Sequence, residues 1–418
     1  MSLPKNFSEN RFLLVIAAVQ FINVLDFMMV MPLGPDLAKA LHIPMQHMGY
    51  IGGSYTLAAS ICGFISALFL DRFDRKRVIL ITLLGLSFAT ILPAFATNIE
   101  TLIFARVLAG CFGGPLTATS LSMLADVIPV ARRGAATGKV SGAFSIASVL
   151  GVPFGLQLSQ MFGWQSPFYT LGFMALIAFF MAQFFLPKNI NEKSVDNLSL
   201  RIKKMGETFR SKLAWSSWGI VILAMIAGFI VIPNISPHVQ FNMHYPRSQL
   251  GLLYMAGGVC SFFSMRYVGV LVDRTSATRV SLFSTSLLII TLLMGFVFYA
   301  VHLPPMFFFI GFMVAMTARN VASQTLSSQV PMPSQRASFM SILTAMTHGA
   351  SAIGAFIGSM ILVQGPDMTL LHVERMAWLS IGISVFIPVL FWYTEKLLKQ
   401  RNAHPATPEV ALAVPATE

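Results

Sequence analysis

Apolar stretches long enough to cross a bilayer recur along the whole chain, at about 12–33, 48–70, 78–96, 100–124, 137–162, 167–187, 215–240, 250–271, 281–301, 304–328, 337–363 and 374–396. A hydrocarbon core is spanned by about 20 residues of helix. These blocks are continuous and do not show the apolar/polar alternation of a barrel strand. Lipid offers no hydrogen bonds to a backbone, so each block is expected to be a helix. The pattern predicts an all-α membrane protein with twelve transmembrane helices, called spans 1 to 12 in chain order.

The charges between the blocks orient them. With the N-terminus cytoplasmic, only Lys39, Arg247 and Arg375 fall on the far side and Arg106, Arg266 and Arg319 within spans, while every other Lys and Arg lies on the cytoplasmic side. Basic residues are retained there, so both termini are expected in the cytoplasm. The polar start, Met1 to Asn10, runs into the first block without a small-residue cleavage site and reads as leading into a retained span. Topology accounts for the net charge of +12. No nucleic-acid partner is expected, even for the linker carrying Lys203, Lys204, Arg210 and Lys212.

The two halves repeat. Asp71-Arg72 after span 2 recurs as Asp273-Arg274 after span 8, and Pro129 after span 4 recurs as Pro331 after span 10, each pair 202 positions apart. Two markers with one offset imply a duplicated six-helix unit. The expected organisation is an N-terminal bundle over 1–187, a cytoplasmic linker over 188–214, a C-terminal bundle over 215–396 and a disordered tail over 397–418. Parallel halves of this kind place a solute site between them.

Composition removes other classes. With 56% hydrophobic and 11% charged residues and a mean hydropathy of +0.73, the chain is not a soluble enzyme or a secreted scaffold. Cys62, Cys111 and Cys260 lie inside apolar blocks, without metal-ligand or disulfide spacing. There is no phosphate-binding loop, nucleophile elbow or His-Glu-x-x-His motif. No enzymatic activity, cofactor or metal is expected, and transport energy would come from an ion or solute gradient.

The loop after span 2 reads Asp71-Arg72-Phe73-Asp74-Arg75-Lys76-Arg77. It resembles the major facilitator superfamily signature Gly-x-x-x-Asp-Arg-x-Gly-Arg-Arg/Lys, with Ala67 and Asp74 in place of the glycines. The resemblance implies a cytoplasmic charge network that closes an inner gate, with Asp71, Arg72, Arg75 and Asp126 in the first half and Asp273 and Arg274 in the second. Plain topogenic charge is the competing explanation. In span 4, Arg106-Val-Leu-Ala-Gly110-Cys-Phe-Gly113 is similar to the family's Arg-x-x-x-Gly-x-Gly motif. In span 5, Gly142 and Gly151-Val-Pro153-Phe-Gly155 resemble the motif of the family's drug/proton antiporter branch, compressed at its end. Close helix packing explains the glycines equally well.

Asp26 is the only acid deep in any span. A mid-membrane carboxylate costs about 2.5 to 3.5 kcal/mol and therefore seeks a partner. Asp26 and Arg106 each lie about 10 Å from the outer ends of spans 1 and 4 at about 1.5 Å per residue, so they can meet. A carboxyl held between a desolvating surrounding and a cation is suited to exchange a proton as a cavity opens to either side. A static packing pair is the alternative. The second half has no equivalent: Gly228 stands opposite Asp26 and Phe308 opposite Arg106 in the repeat.

Candidate cavity-lining groups are Asn234 and His238 in span 7, Arg319, Asn320 and Gln324 in span 10, and His348 in span 11. Asn320, Ser323, Gln324 and Ser327 recur at helical spacing beside Arg319, suggesting a polar stripe. The antiporter resemblance implies proton-coupled export of small amphipathic or drug-like compounds by a functional monomer in the lipid bilayer of a bacterial-type cytoplasmic (inner) membrane. A dedicated carrier of one sugar, amino acid, siderophore or lipid, and a non-transporting receptor or assembly factor, are the rival readings.

Overall fold

The structure, a computed structural model, describes residues 8–69, 73–187, 206, 208–299, 304–332 and 336–403. Twelve helices in it are long and apolar enough to cross a membrane: Glu9–Met29, Met45–Ser66, Arg75–Phe95, Ile99–Val127, Ala136–Phe162, Ser166–Phe185, Lys212–Asn242, Arg247–Arg274, Ala277–Val297, Pro305–Ser328, Phe339–Ile361 and Val373–Ala403. They correspond in order to the twelve apolar blocks and form two six-helix halves. The last helix continues to Ala403, past the expected boundary at 396. The linker stretch 188–205, residue 207 and the tail from 404 lie outside the described residues.

Several helices change pitch where their sequence disfavours a regular α-helix. Span 5 passes through a π segment, Ala147–Gly151, immediately before Pro153, which has no backbone N–H to donate. Span 7 tightens at Ile232–Asn234, which contains Pro233, and then widens at His238–Asn242, just after Pro237. Capping is explicit at span 4, where Asn98 and Thr101 form a reciprocal capping box. A short helix, Gly34–Leu41, follows span 1 at the end of the molecule away from the first turn of that span. A two-stranded hairpin, Val363–Gln364 with Leu370–Leu371, joins spans 11 and 12 at the same end.

Three apolar clusters form the interior. One lies within the first half around Phe12, Ile16 and Leu83, and one within the second around Trp218, Phe339 and Phe391. The third crosses between halves, joining Leu25, Met29 and Val152 to Ile230, Leu253 and Phe309. The halves meet where span 2 packs on span 11 and span 5 on span 8. Small residues permit the approach: a Cβ added at Gly258 would meet the Ser148 carbonyl oxygen at 3.0 Å.

Candidate functional site

Asp26 and Arg106 form an ion pair with both side chains fully buried, Arg106 Nη1 lying 3.1 Å from Asp26 Oδ1. The same nitrogen donates to Oδ2 at 3.3 Å, and Nη2 donates to the Asp26 backbone carbonyl at 3.2 Å. Thr90 of span 3 donates to Asp26 Oδ1 at 3.0 Å. The Tyr55 ring of span 2 lies 4.6 Å from the guanidinium carbon, a separation at which the ring face attracts a cation. One carboxylate thus ties together spans 1, 3 and 4, with span 2 stacked against the cation. Arg106 Nε has no hydrogen-bond partner among the described residues.

A second polar layer supports the first. Tyr55 donates to Asn23 Oδ1 at 3.1 Å, and Asn23 donates to Thr117 Oγ1 at 2.5 Å and to the Gly113 carbonyl at 3.2 Å. The glycines of the Arg106 motif make room for these contacts. A side chain at Gly110 would strike the Tyr55 carbonyl oxygen, and one at Gly113 would strike the Tyr55 hydroxyl. Gly151 and Gly155 of span 5 likewise receive Leu25 and Met29, which flank Asp26 on span 1. Gly142 differs: among the described residues, nothing lies within 4 Å of a Cβ added there. Pro153 packs at the crossing with span 8, opposite Gly251.

The expected inner-gate groups are only partly brought together. Arg75 and Asp126 form an ion pair at 2.5 Å, but both belong to the first half, so this contact does not bridge the halves. Asp71 and Arg72 lie outside the described residues. Asp273 and Arg274 are exposed in the last turn of span 8. Among the described residues, every cross-half side-chain hydrogen bond and ion pair lies between mid-depth and the end opposite the start of span 1. At mid-depth, Ser60 donates to the Ala345 carbonyl at 2.7 Å. Nearer that end, Ser236 donates to Pro32 O at 3.0 Å, and the Met45 N–H to Gln364 Oε1 at 2.7 Å.

The strongest of these contacts was missed from sequence. Arg247, at the start of span 8, grips Asp36 in a two-pronged pair at 2.9 and 2.5 Å, and Ser159 of span 5 donates to the same carboxylate at 2.8 Å. The available signal was the presence of two opposite charges on the side of the molecule poorest in charge. Asn23, Tyr55 and Thr90 were also missed, since each is an ordinary polar residue until the fold converges on Asp26.

The expected cavity-lining groups differ in their surroundings. Asn234 and His238 are wholly buried in helix packing: Asn234 donates to the Ile230 carbonyl at 3.1 Å, while His238 bonds the Gly295 carbonyl at 2.7 Å and stacks on Phe296. The irregular pitch of span 7 turns both toward neighbouring helices. His348 is half-buried. The polar stripe of span 10 divides between two faces. Arg319, Ser323 and Ser327 are buried, whereas Asn320 and Gln324 are exposed and bonded to each other at 3.2 Å.

Comparison with known proteins agrees with this architecture. A sequence relative is multidrug resistance protein 2 of Bacillus subtilis (strain 168), 24% identical over 237 residues that span 56% of this chain and 58% of that protein. A triacylglyceride transporter of Mycolicibacterium hassiacum is 30% identical over 178 residues, 40% of this chain and 32% of that one. These matches therefore span less than two thirds of the relatives' length. In fold, the chain is similar to a bacterial homologue of the human lysosomal transporter Spinster, in an inward-facing and unoccupied conformation. That similarity has a TM-score of 0.73 at 15% identity and covers 96% of this chain and 100% of that one. A D-xylose-proton symporter gives 0.73 at 15% identity over 92% and 97% of the two chains. The family profile matches residues 16–231 and 217–416, and with both halves matched the chain belongs to the Major Facilitator Superfamily.

Proposed function

We propose that this transporter exports small amphipathic or drug-like compounds in exchange for protons, by alternating access in a bacterial-type cytoplasmic membrane. The observation that carries the reading is the fully buried Asp26–Arg106 pair, the one carboxylate deep in a span, placed at the junction of four helices. Protonation of Asp26 removes its attraction for Arg106 and loosens the tie among spans 1, 3 and 4. Phe27, the next residue, touches span 7 of the other half, so a change at Asp26 is transmitted to the contact between bundles. A proton and a substrate that favour different arrangements of the halves then drive each other across.

In this reading the bundles over 1–187 and 215–396 rock against each other around the site between them. The basic end faces the cytoplasm by the positive-inside rule. The Asp36–Arg247 clasp then closes the outer end. Export of multiple compounds gains support from the multidrug relative, and the partly buried Met and Phe side chains at the interface suit adaptable apolar contact.

Reconstitution of the full chain in proteoliposomes tests this reading. An imposed pH gradient should drive uptake of fluorescent amphiphiles, anionic or cationic, into inverted vesicles, and a protonophore should abolish it. Chemically unrelated compounds should compete. Flux indifferent to the gradient would refute proton coupling, and competition by a single solute class would mark a dedicated carrier.

A further inference from the structure

The two deeply buried span arginines have opposite surroundings. Arg106 faces a carboxylate, whereas Arg319 of span 10 faces none. The second bundle, 215–396, has four acids, Asp273, Asp367, Glu374 and Glu395, and all of them sit at span ends or in loops. Arg319 is 2% exposed. Its Nη2 donates to the Ala224 carbonyl and to Met316 Sδ, both at 2.9 Å, and its Nη1 makes a long contact of 3.4 Å with Ser384 Oγ. These partners are neutral and occupy only part of the five-donor guanidinium fork. A cation at this depth costs about 2.5 to 3.5 kcal/mol unless compensated.

Repeat symmetry indicates where compensation would come from. Gly228 occupies the position in span 7 that Asp26 occupies in span 1. A Cβ added at Gly228 would lie 3.6 Å from Arg319 Nη2 and 2.5 Å from Met316 Cε. Where the first half holds a carboxylate beside its arginine, the second half holds a glycine and the end of a flexible methionine side chain. One turn from Arg319, the Ser323 hydroxyl is buried and has no hydrogen-bond partner among the described residues. At about 100° per residue, Ser323 lies about 40° and Asn320 about 100° round the helix from Arg319. The exposed Asn320–Gln324 face therefore adjoins the buried cation, with the half-buried Met316 between them.

We propose that Arg319 and Ser323 form a head-group site for the anionic end, a carboxylate or phosphate, of an amphipathic solute. The anion takes a place beside Arg319 and Gly228 like that of the Asp26 carboxylate beside Arg106, although the two arginines stand at different positions of the repeat. Met316, unbranched and readily repacked, swings from Nη2 to admit it. Charge-assisted bonds from a guanidinium supply the affinity, and the Ser323 hydroxyl gains a partner. The apolar part of the solute lies along the interface between the halves. This site rests on the export reading above and narrows its substrate class to anionic amphiphiles.

The test is equilibrium binding of radiolabelled laurate to the purified full-length protein in detergent, with unlabelled laurate, methyl laurate and dodecylamine as competitors. Laurate should outcompete its methyl ester and the amine by about tenfold or more. Arg319→Gln should abolish this preference, Arg319→Lys should retain part of it, and Ser323→Ala should weaken laurate several-fold. Displacement by short-chain phosphatidylglycerol, but not by phosphatidylcholine of equal length, would assign the anion to a lipid phosphate at the same site. Equal displacement by acid and ester, or a preference that survives Arg319→Gln, overturns the proposal. If Arg319→Gln does not fold, the wild-type competition and Ser323→Ala decide the matter alone. No gradient is present, so failure here leaves proton-coupled export standing. Conversely, absent proton-driven flux with the laurate preference intact sinks only the transport reading.

Discussion

Phe27 of span 1 and Phe229 of span 7, which hold the same position in the two repeats, stack with ring centroids 6.0 Å apart. Equivalent residues of two symmetry-related halves touch only near the axis that relates them. The stack therefore marks the pseudo-twofold axis, and Phe27 also lies 5.6 Å from the Tyr55 ring beneath Arg106. An aromatic pair contributes about 0.5–1.5 kcal/mol beyond its buried area. In a cysteine-free background, Phe229→Ala should raise labelling of a cysteine at Ser236 several-fold, using an impermeant reagent from the side opposite the termini. Unchanged labelling would exclude the stack from closure.

The Asp36–Arg247 clasp gives a second prediction. Its side chains are 22% and 24% exposed, so solvent screening limits its worth to about 1 kcal/mol, a several-fold change in the balance of states. Arg247→Ala and Asp36→Asn should each shift the protein toward opening at that end. The exchanged pair, Asp36→Arg with Arg247→Asp, should restore closure in part. Spin-label distances across the same end provide the measurement.

Breaking the deep ion pair from one side is costly. Arg106→Gln leaves a buried carboxylate facing a neutral amide and should destabilise the fold by about 3–5 kcal/mol. Adding Asp26→Asn removes the stranded charge, so the double variant should melt above the single one in detergent. A double variant less stable than Arg106→Gln alone would contradict the pairing.

Glycines in the motifs should not be equivalent. Gly110→Ala places a methyl group against the Tyr55 backbone, which cannot move aside as a side chain can. Overpacking of this kind costs about 1–3 kcal/mol. Gly142→Ala meets no described atom within 4 Å and should leave the melting temperature within experimental scatter of wild type.

The sequence revealed different parts of this molecule for different physical reasons. The spans were legible because lipid forces long apolar helices, and the Asp26–Arg106 meeting was legible because two rare charges shared a depth. The ends were less so: span 12 runs to Ala403 because its last turns are a polar helix beyond the apolar block. The Asp36–Arg247 pair depends on how the halves meet, 211 positions apart in sequence. The burial of Asn234 and His238 follows from the proline-disturbed pitch of span 7, which an ideal helical wheel does not anticipate. In span 10 the wheel placed Arg319 and Gln324 in one stripe, but the packed face ends between them.

Asp26 is proposed as the proton-responsive group of alternating access, and the most direct measurement of that role requires no knowledge of the substrate. Spin labels at the two ends of the molecule, read by pulsed dipolar spectroscopy in nanodiscs across a pH series, report which end is open. Wild-type protein should shift between open ends as pH changes. Asp26→Asn, which keeps the side chain's size but cannot titrate, should hold one distribution at every pH. A wild-type pH response in Asp26→Asn would contradict the account and place the proton elsewhere, with His348 the next group to replace.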